Sequence, residues 1–263
     1  MNDILAQFDS ITLDEMSGIR LMNRIDTKFV TTMPVLRRLL EMATGEYMAQ
    51  EINGERNMQY STTYYDTFGY DMYYQHQYGH AGRQKLRFRT YVSSHLQFME
   101  VKTKNNHGRT KKKRMKVTDM RLDDQEKLDF LTQHLGYGAD TLMPAIHNQF
   151  DRITLVNKAK TERLTIDTNL QFHNLVTGCD RMMDPLVIVE LKRDGLCYSP
   201  VLEMLRKLRV FPHGFSKYCM GSALTNDRLR VNRFKAKLID IRKISQNVDI
   251  HEPMTRIINQ TTQ

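Results

Sequence analysis

Three segments of the chain alternate basic residues with bulky apolar ones. They are Lys85 to Tyr91 (KLRFRTY), Glu100 to Lys104 (EVKTK) and Lys112 to Val117 (KKRMKV). Successive side chains of a β-strand point to opposite faces, so each segment predicts a strand with its charges on one face. Like charges on neighbouring strands repel each other. A wall of such charges therefore predicts that a polyanionic ligand lies against it.

Composition limits the class of protein and its partners. The chain has 263 residues, 40% of them hydrophobic, and a formal net charge of +9. These values predict one large globular domain over residues 1–225 and a helical extension over 226–263. The positive charge favours an anionic partner: a nucleotide, polyphosphate, nucleic acid or an acidic membrane surface. The basic stretch from Arg228 to Lys243 is interpreted as a solvated face, with contact to a membrane or a partner as the alternative.

Localisation signals and cysteine sites are not evident in the sequence. No window approaches the roughly 18 apolar residues of a membrane-spanning helix. The segment from Met1 to Leu5 does not begin a signal peptide. Cys179, Cys197 and Cys219 are widely spaced and predict neither a disulfide framework nor a zinc site. We expect a cytoplasmic protein.

Periodicity predicts further elements around the basic segments. Strands are predicted over Arg24 to Thr31, Met58 to Asp66, Asn148 to Val156, Glu162 to Phe172 and Leu186 to Arg193, and helices over Leu13 to Met22, Pro34 to Met42, Asp124 to Leu135, Pro200 to Leu208 and Phe215 to Leu224. Roughly eight strands predict an α+β fold built on an antiparallel sheet. With charged faces inward and helices packed outside, we expect a closed barrel forming a basic tunnel, since closure removes exposed strand edges.

The predicted inward face is rich in phosphate-binding side chains. Its cations are Arg24, Lys28, Lys85, Arg87, Arg89, Lys102, Lys104, Lys112, Arg114, Lys116, Arg152, Arg163 and Lys192. Its acids are Asp26, Glu100, Asp167 and Glu190. Arginine forks match phosphate oxygens, and carboxylates among them predict a hard divalent metal, Mg²⁺ or Mn²⁺, with Glu190, Asp26 and Glu100 as ligands. Any one of these cations is ordinarily solvated or salt-bridged, and Glu190 has the alternative of pairing with Lys192.

Other residue types give weaker signals. His76, His80 and His107 lack the spacing of metal ligands and are interpreted as surface or loop residues. The tyrosines Tyr64, Tyr65, Tyr73 and Tyr74 are interpreted as packing residues rather than base-stacking ones. Nucleic acid is therefore a disfavoured partner.

The order and spacing of short motifs resemble a known family. The motifs are Arg24-x-Asp26-x-Lys28-Phe29, Tyr64-Tyr65-Asp66-Thr67, Lys85-x-Arg87-x-Arg89-x-Tyr91, Glu100-x-Lys102, Lys112-x-Arg114, Phe150-x-Arg152, Arg163-x-x-x-Asp167, Glu190-x-Lys192 and Phe215-Ser216-Lys217-Tyr218. Together they resemble the polyphosphate polymerase (VTC) domain, a branch of the triphosphate tunnel metalloenzymes with a CYTH-like fold.

The resemblance implies a tunnel in which a nucleoside triphosphate or polyphosphate lies and in which a metal, often Mn²⁺, assists transfer of the γ-phosphate. Carried over by motif, Lys28, Arg87, Arg89, Lys102, Arg152 and Glu190 would be catalytic, with Glu190 the principal metal ligand. Lys85, Lys104, Lys112, Arg114, Arg163, Lys192, Ser216 and Lys217 would bind phosphates, the last two at the terminal phosphate.

This chain departs from relatives at identifiable positions. Hydrolytic tunnel enzymes open with Glu-x-Glu-x-Lys, whereas this chain has Arg24 and Asp26 there, which favours the polymerase-like branch. Characterised eukaryotic polymerase domains carry Lys at the position of Gly214 and Tyr at the position of Phe150. Those polymerases sit in membrane complexes, so a membrane-associated partner is a further expectation.

Three functions are compatible with these sequence features. The first is a polyphosphate polymerase that uses ATP; the second is a triphosphatase on the same tunnel, with water as the nucleophile; the third is a non-catalytic binder of polyphosphate or RNA. The nucleotide, the metal and the oligomeric state do not follow from the sequence.

Overall fold

A computed structural model describes residues 1–17, 19, 24–105 and 110–244. Within these ranges one sheet contains the strands β1 (Asp9–Ile11), β2 (Arg24–Thr32), β3 (Tyr47–Gln50), β4 (Asn57–Thr67), β5 (Gln84–Tyr91), β6 (Leu96–Lys104), β7 (Thr110–Val117), β8 (Leu142–Asn157), β9 (Glu162–Asn174), β10 (Asp180–Met183) and β11 (Leu186–Asp194). The helices are α1 (Asn2–Leu5), α2 (Leu13–Ser17), α3 (Met33–Ala43), α4 (Asp71–Tyr78), α5 (Gln125–His134), α6 (Pro200–Lys207), α7 (Lys217–Thr225) and α8 (Lys235–Ile244).

Eight of these strands form a curled antiparallel path in the order β2-β11-β9-β8-β4-β5-β6-β7. Three short strands lie off this path: β1 pairs with β3, β3 with β8, and β10 with β9. The α+β class and the antiparallel sheet are therefore confirmed. None of the helices in the described part of the chain is long and apolar enough to cross a membrane.

The predicted closed barrel is wrong, because the sheet is an open half-barrel. Strands β2 and β7 are the two ends of the path and do not pair with each other. The edge of β2 is instead taken by the segment before α7, where Phe29 bridges to Pro212 and the His213 amide donates to the Lys28 carbonyl (2.7 Å). Strand β7 exposes lysines on both of its faces, a pattern that discourages edge pairing.

The alternation of side chains gives the sheet two different faces. Apolar residues of β5 and β6, such as Leu86 and Val101, share a buried cluster with Leu131 of α5. Those of β8, β9 and β11, such as Leu155 and Val187, lie in a second cluster with helices α1, α3 and α6. The opposite face carries the charges of Lys28, Arg87, Arg89, Glu100, Lys102, Lys112, Arg152, Asp167, Glu190 and Lys192, and is called the inner face below.

Helix α7 packs on part of the inner face. Tyr218 stacks on Tyr64 of β4, with ring centroids 5.4 Å apart. The hydroxyl of Tyr218 donates to Asp66, a buried carboxylate that also accepts from the backbone amides of Met72 and Tyr73 at the start of α4. Asp66 therefore joins α7, α4 and the sheet, and the Tyr-Tyr-Asp-Thr motif is structural. The expectation that these tyrosines pack is confirmed for Tyr64, which is buried.

Gly221 allows α7 to approach the sheet closely. A Cβ at this position would lie 2.4 Å from Cδ1 of Phe172 and 2.7 Å from Cδ1 of Ile146. Both side chains are buried and cannot move aside freely.

We predict that Gly221→Ala destabilises the protein by about 2 kcal/mol, since overpacking outweighs the gain in helix propensity. Urea unfolding measures this free energy. Gly45→Ala is the control, because no heavy atom lies within 4 Å of its Cβ position. Equal stability of the two variants would contradict the close approach of α7.

Candidate anion-binding cleft

Three carboxylates on the inner face each hold cations from different elements. Glu190 of β11 accepts from Lys28 of β2 (Nζ–Oε1 2.6 Å) and forms an ion pair with Lys192 (Nζ–Oε2 2.8 Å). Burial would raise the pKa of Glu190, but the charges of Lys192 and Lys28 bring it well below its usual value. Glu190 thus does pair with Lys192, and Lys28 is an additional partner.

Glu100 of β6 is the second carboxylate, and only 1% of its surface is exposed. Arg87 contacts its Oε2 through Nε (2.7 Å) and Nη2 (2.5 Å), and Lys112 lies 3.3 Å from Oε1. The backbone register places Arg87 directly opposite Glu100. Although burial alone would raise it, the pKa of Glu100 is held well below the ordinary range by Arg87, Arg89 and Lys112.

Asp167 of β9 is the third carboxylate and is also buried. Arg152 binds it with a fork, Nε to Oδ1 (2.5 Å) and Nη2 to Oδ2 (2.8 Å). Lys217, the first residue of α7, contacts Oδ2 as well. Burial opposes ionisation of Asp167, yet the charges of Arg152 and Lys217 lower its pKa below the ordinary range.

Two aromatic rings form part of the floor between these clusters. Tyr60 and Phe150 stack with centroids 5.3 Å apart. Over the ring of Phe150 lie the charged ends of Lys217 (4.1 Å), Arg152 (5.2 Å) and Arg89 (5.9 Å). The ring faces carry partial negative charge and attract these cations without neutralising them. Phe150 therefore serves as a platform for these three cations.

Two cations of the inner face, Arg89 and Lys102, form no ion pair with any carboxylate that the structure describes. Arg89 donates to Thr62 (3.4 Å), and burial, with the charges of Arg87 and Arg152, lowers its pKa to about 10. The pKa of Lys102 lies well below its usual value because of the charge of Arg87, followed by burial. The charges of neighbouring arginines contribute to both shifts, after burial for Arg89 and before it for Lys102.

The curl brings opposite parts of the sheet within electrostatic reach of each other. The charge of Glu190 on β11 acts on Lys102 of β6, and the charge of Lys28 on β2 acts on Lys85 of β5. Arg87 and Arg89 lie deep, whereas Lys28 and Lys112 are more exposed at the rim. The inner face is therefore a basic cleft with a deep floor and an accessible rim.

The structure brings most of the predicted site residues to this cleft. It holds Lys28, Arg87, Arg89, Lys102, Lys112, Arg152, Lys192, Lys217, Glu100 and Glu190. Ser216, the N-cap of α7, accepts a hydrogen bond from Lys85 of β5 (2.8 Å). Lys104 lies on β6, the strand that pairs with β5.

Other predicted site residues are turned to different partners. Arg163 donates to the carbonyl of Met16 (3.2 Å), and Asp26 pairs with Arg24 (2.7 Å). Arg114 lies over the ring of Phe98, 4.8 Å from its centroid. Thr62, Tyr60 and Thr165, which accepts from Lys192 (3.1 Å), were not singled out from sequence as site residues. Each of them lies an even number of residues from a charged or polar residue of the inner face, and this spacing is the sequence signal that places them on that face.

The described residues contain no group of three or more His, Cys, Asp or Glu placed to hold a metal ion. A hard cation bound to phosphates needs only one or two protein carboxylates. Each oxygen of Glu190 is used by one lysine, and an ionised carboxylate offers roughly four acceptor positions. Glu190 therefore fits a role as a single protein ligand beside phosphate oxygens.

The sequence matches a known protein family: the model of the VTC domain family matches residues 23–226. None of the curated proteins matches the chain.

Several solved structures are similar at low identity. A candidate adenylate cyclase from Vibrio parahaemolyticus is 12% identical, with 76% of this chain and 99% of that chain covered and a TM-score of 0.45. A candidate adenylyl cyclase from Hippeastrum, described as having a dominant triphosphatase activity, is also 12% identical, with coverages of 76% and 95% and a TM-score of 0.47. The PH1819 protein from Pyrococcus horikoshii is 12% identical, with coverages of 74% and 95% and a TM-score of 0.41.

We predict that Asp167→Asn lowers the free energy of unfolding by about 3 kcal/mol, since it leaves Arg152 and Lys217 without their carboxylate. Added tripolyphosphate should recover more stability in this variant than in the parent, because an anion replaces the lost charge. Thermal unfolding with and without tripolyphosphate measures both effects.

Asp184→Asn, at an exposed acid, is the matched control for the loss of one negative charge. If Asp167→Asn gained no more from tripolyphosphate than this control does, the assignment of Asp167 as the counter-charge of the cleft would be wrong.

Proposed function

The chain belongs to the VTC domain family, and we propose that it is a polyphosphate polymerase that transfers the γ-phosphate of ATP to an inorganic polyphosphate chain in the basic cleft. One observation carries the proposal: the cations of the inner face far outnumber its carboxylates, and Glu100, Asp167 and Glu190 are each already paired. The remaining positive charge suits a chain of phosphates.

The reaction needs positioning and charge stabilisation rather than a protein nucleophile. A terminal oxygen of the polyphosphate chain forms a bond to the γ-phosphorus of ATP. The bond from that phosphorus to the β,γ-bridging oxygen breaks, and ADP leaves with the electron pair. Arg87, Arg89 and Arg152, fixed in the floor by their hydrogen bonds, would stabilise the negative charge that develops on the transferring group.

A divalent metal, Mn²⁺ or Mg²⁺, would bind Glu190 together with phosphate oxygens, and when bound it would neutralise charge on the phosphates. Lys28 and Lys192 keep Glu190 ionised, as the lowering of its pKa by their charges indicates. They would also orient its carboxylate from both sides.

The engagement of the cleft carboxylates favours transfer to a phosphate acceptor over hydrolysis. A triphosphatase needs a group that orients a water molecule. In the described part of the chain, Glu100 and Asp167 are buried and bind cations through both oxygens, and Glu190 is the carboxylate assigned to the metal. The acceptor oxygen of polyphosphate is already an anion and needs no such base.

We predict that the purified protein makes polyphosphate from ATP with Mn²⁺, and that Lys102→Ala lowers the rate at least tenfold. Lys102 lies between Lys85 and Lys112 in the sheet and forms no ion pair among the described residues, so its removal leaves no acid unpaired. The variant should therefore stay folded while losing a phosphate contact. Lys113→Ala, an exposed lysine on the other face of β7, is the matched control.

The amounts of polyphosphate and of orthophosphate formed are measured in the same reaction. Polymer made by the parent and by Lys113→Ala, but not by Lys102→Ala, is the expected result. Orthophosphate without polymer would replace the proposal with a triphosphatase. Retained polyphosphate binding with neither product would replace it with a non-catalytic binder.

A further inference from the structure

A second group of cations lies at one end of the cleft and is called the end cluster here. It consists of Arg83 just before β5, Lys85 at the start of β5, Lys104 at the end of β6 and Lys237 on α8. Within the residues that the structure describes, none of the four forms an ion pair with a carboxylate. The end cluster therefore differs from the floor, where three acids are built in.

Backbone pairing places three of these cations together: the amide of Lys104 donates to the carbonyl of Arg83 (3.0 Å), and Lys85 follows Arg83 by two residues. Burial of His76 on α4, followed by the charges of Lys85, Arg83, Lys237 and Lys104, lowers its pKa to about 2. The pKa of Lys104 is lowered first by burial and then by the charges of Arg83, Lys28 and Lys237. His76 was expected to be a surface or loop residue, but it lies half-buried on a helix and is neutral.

Lys237 lies directly over the backbone before α7. A Cβ at Gly214 would be only 3.3 Å from the Nζ of Lys237. Two residues later, Ser216 caps α7 and accepts the hydrogen bond from Lys85. Two amines thus flank the short segment from Gly214 to Ser216, and the absence of a side chain at position 214 leaves room for one of them.

The position of Lys237 is fixed by its helix. Leu238 and Ile241 of α8 are buried in the same cluster as the apolar residues of β5 and β6. Asp240, one turn along α8, faces His213 instead (Nε2–Oδ2 3.7 Å). Helix α8 lies beyond residue 226, where the match to the family model ends.

We propose that Lys237, together with Arg83, Lys85 and Lys104, binds phosphates of the polyphosphate chain at this end of the cleft. The inference rests on the proposed function for the identity of the ligand. It assigns a polyphosphate-binding residue to a helix outside the matched domain. The end cluster has no acid to displace, so phosphate oxygens would be its direct counter-charge.

The test is the affinity for linear inorganic polyphosphate of one defined length, measured by titration at several salt concentrations. Lys237→Ala should weaken binding about tenfold, the effect of one lost charged contact at a partly exposed site. Its affinity should also depend less steeply on salt, because fewer counterions are released. Lys243→Ala removes the same charge from an exposed position of α8 and should bind within about twofold of the parent.

A rescue variant separates binding from a structural role. In the double variant Lys237→Ala, Gly214→Lys, the Cβ of the new side chain lies 3.3 Å from the place that the amine of Lys237 occupies in the parent. Its flexible stem can return an ammonium group to the end cluster, so affinity should recover. Thermal unfolding of all variants should change little.

Three outcomes would overturn the inference. Equal affinities of Lys237→Ala and Lys243→Ala, with a parent that binds polyphosphate, would refute it while leaving the proposed function in place. Weak binding that accompanies a loss of thermal stability and is not rescued would make Lys237 structural. No binding by the parent would refute the proposed function itself.

Discussion

The structure depends on carboxylates that compensate the many positive charges of the inner face. Glu100, Asp167 and Glu190 lie among cations of neighbouring strands and of α7, and each binds at least two of them. Removing one partner of a buried ion pair typically costs about 3–5 kcal/mol. These acids therefore let a sheet carry so many lysines and arginines on one face, and they also fix the directions of the arginine forks.

The compensation is incomplete, and its remainder gives the cleft its chemistry. Among the described residues, Arg89 and Lys102 pair with no carboxylate, and the aromatic floor of Tyr60 and Phe150 attracts cations without cancelling their charge. No member of the end cluster, which includes Lys237 of α8, forms an ion pair with a carboxylate in the described part of the chain. A chain of phosphates, with regularly spaced negative charges, matches a surface whose positive charge continues from the floor to one end.

Much of this arrangement follows from the sequence. Alternation in β5 and β6 predicted which side chains share a face, and the register places Arg87 opposite Glu100 as a two-residue period requires. Long-range features were not predictable from the sequence. The sheet does not close into a barrel, because Pro212 and His213 occupy the edge of β2. The turning of Arg163 toward Met16, the insertion of α7 through Gly221 and the approach of Lys237 to Gly214 depend on tertiary packing. Periodicity reports faces of elements, not which elements meet.

A crystal structure of the protein grown with tripolyphosphate is the most direct test of the central claim, that the inner face is a phosphate-binding cleft. The account predicts phosphate oxygens within hydrogen-bond distance, about 2.7–3.0 Å, of Arg87, Arg89, Arg152 or Lys217 on the cleft floor. Phosphates bound only at the exposed lysines on the outer face of β7, with the floor arginines still holding only their carboxylates, would contradict it.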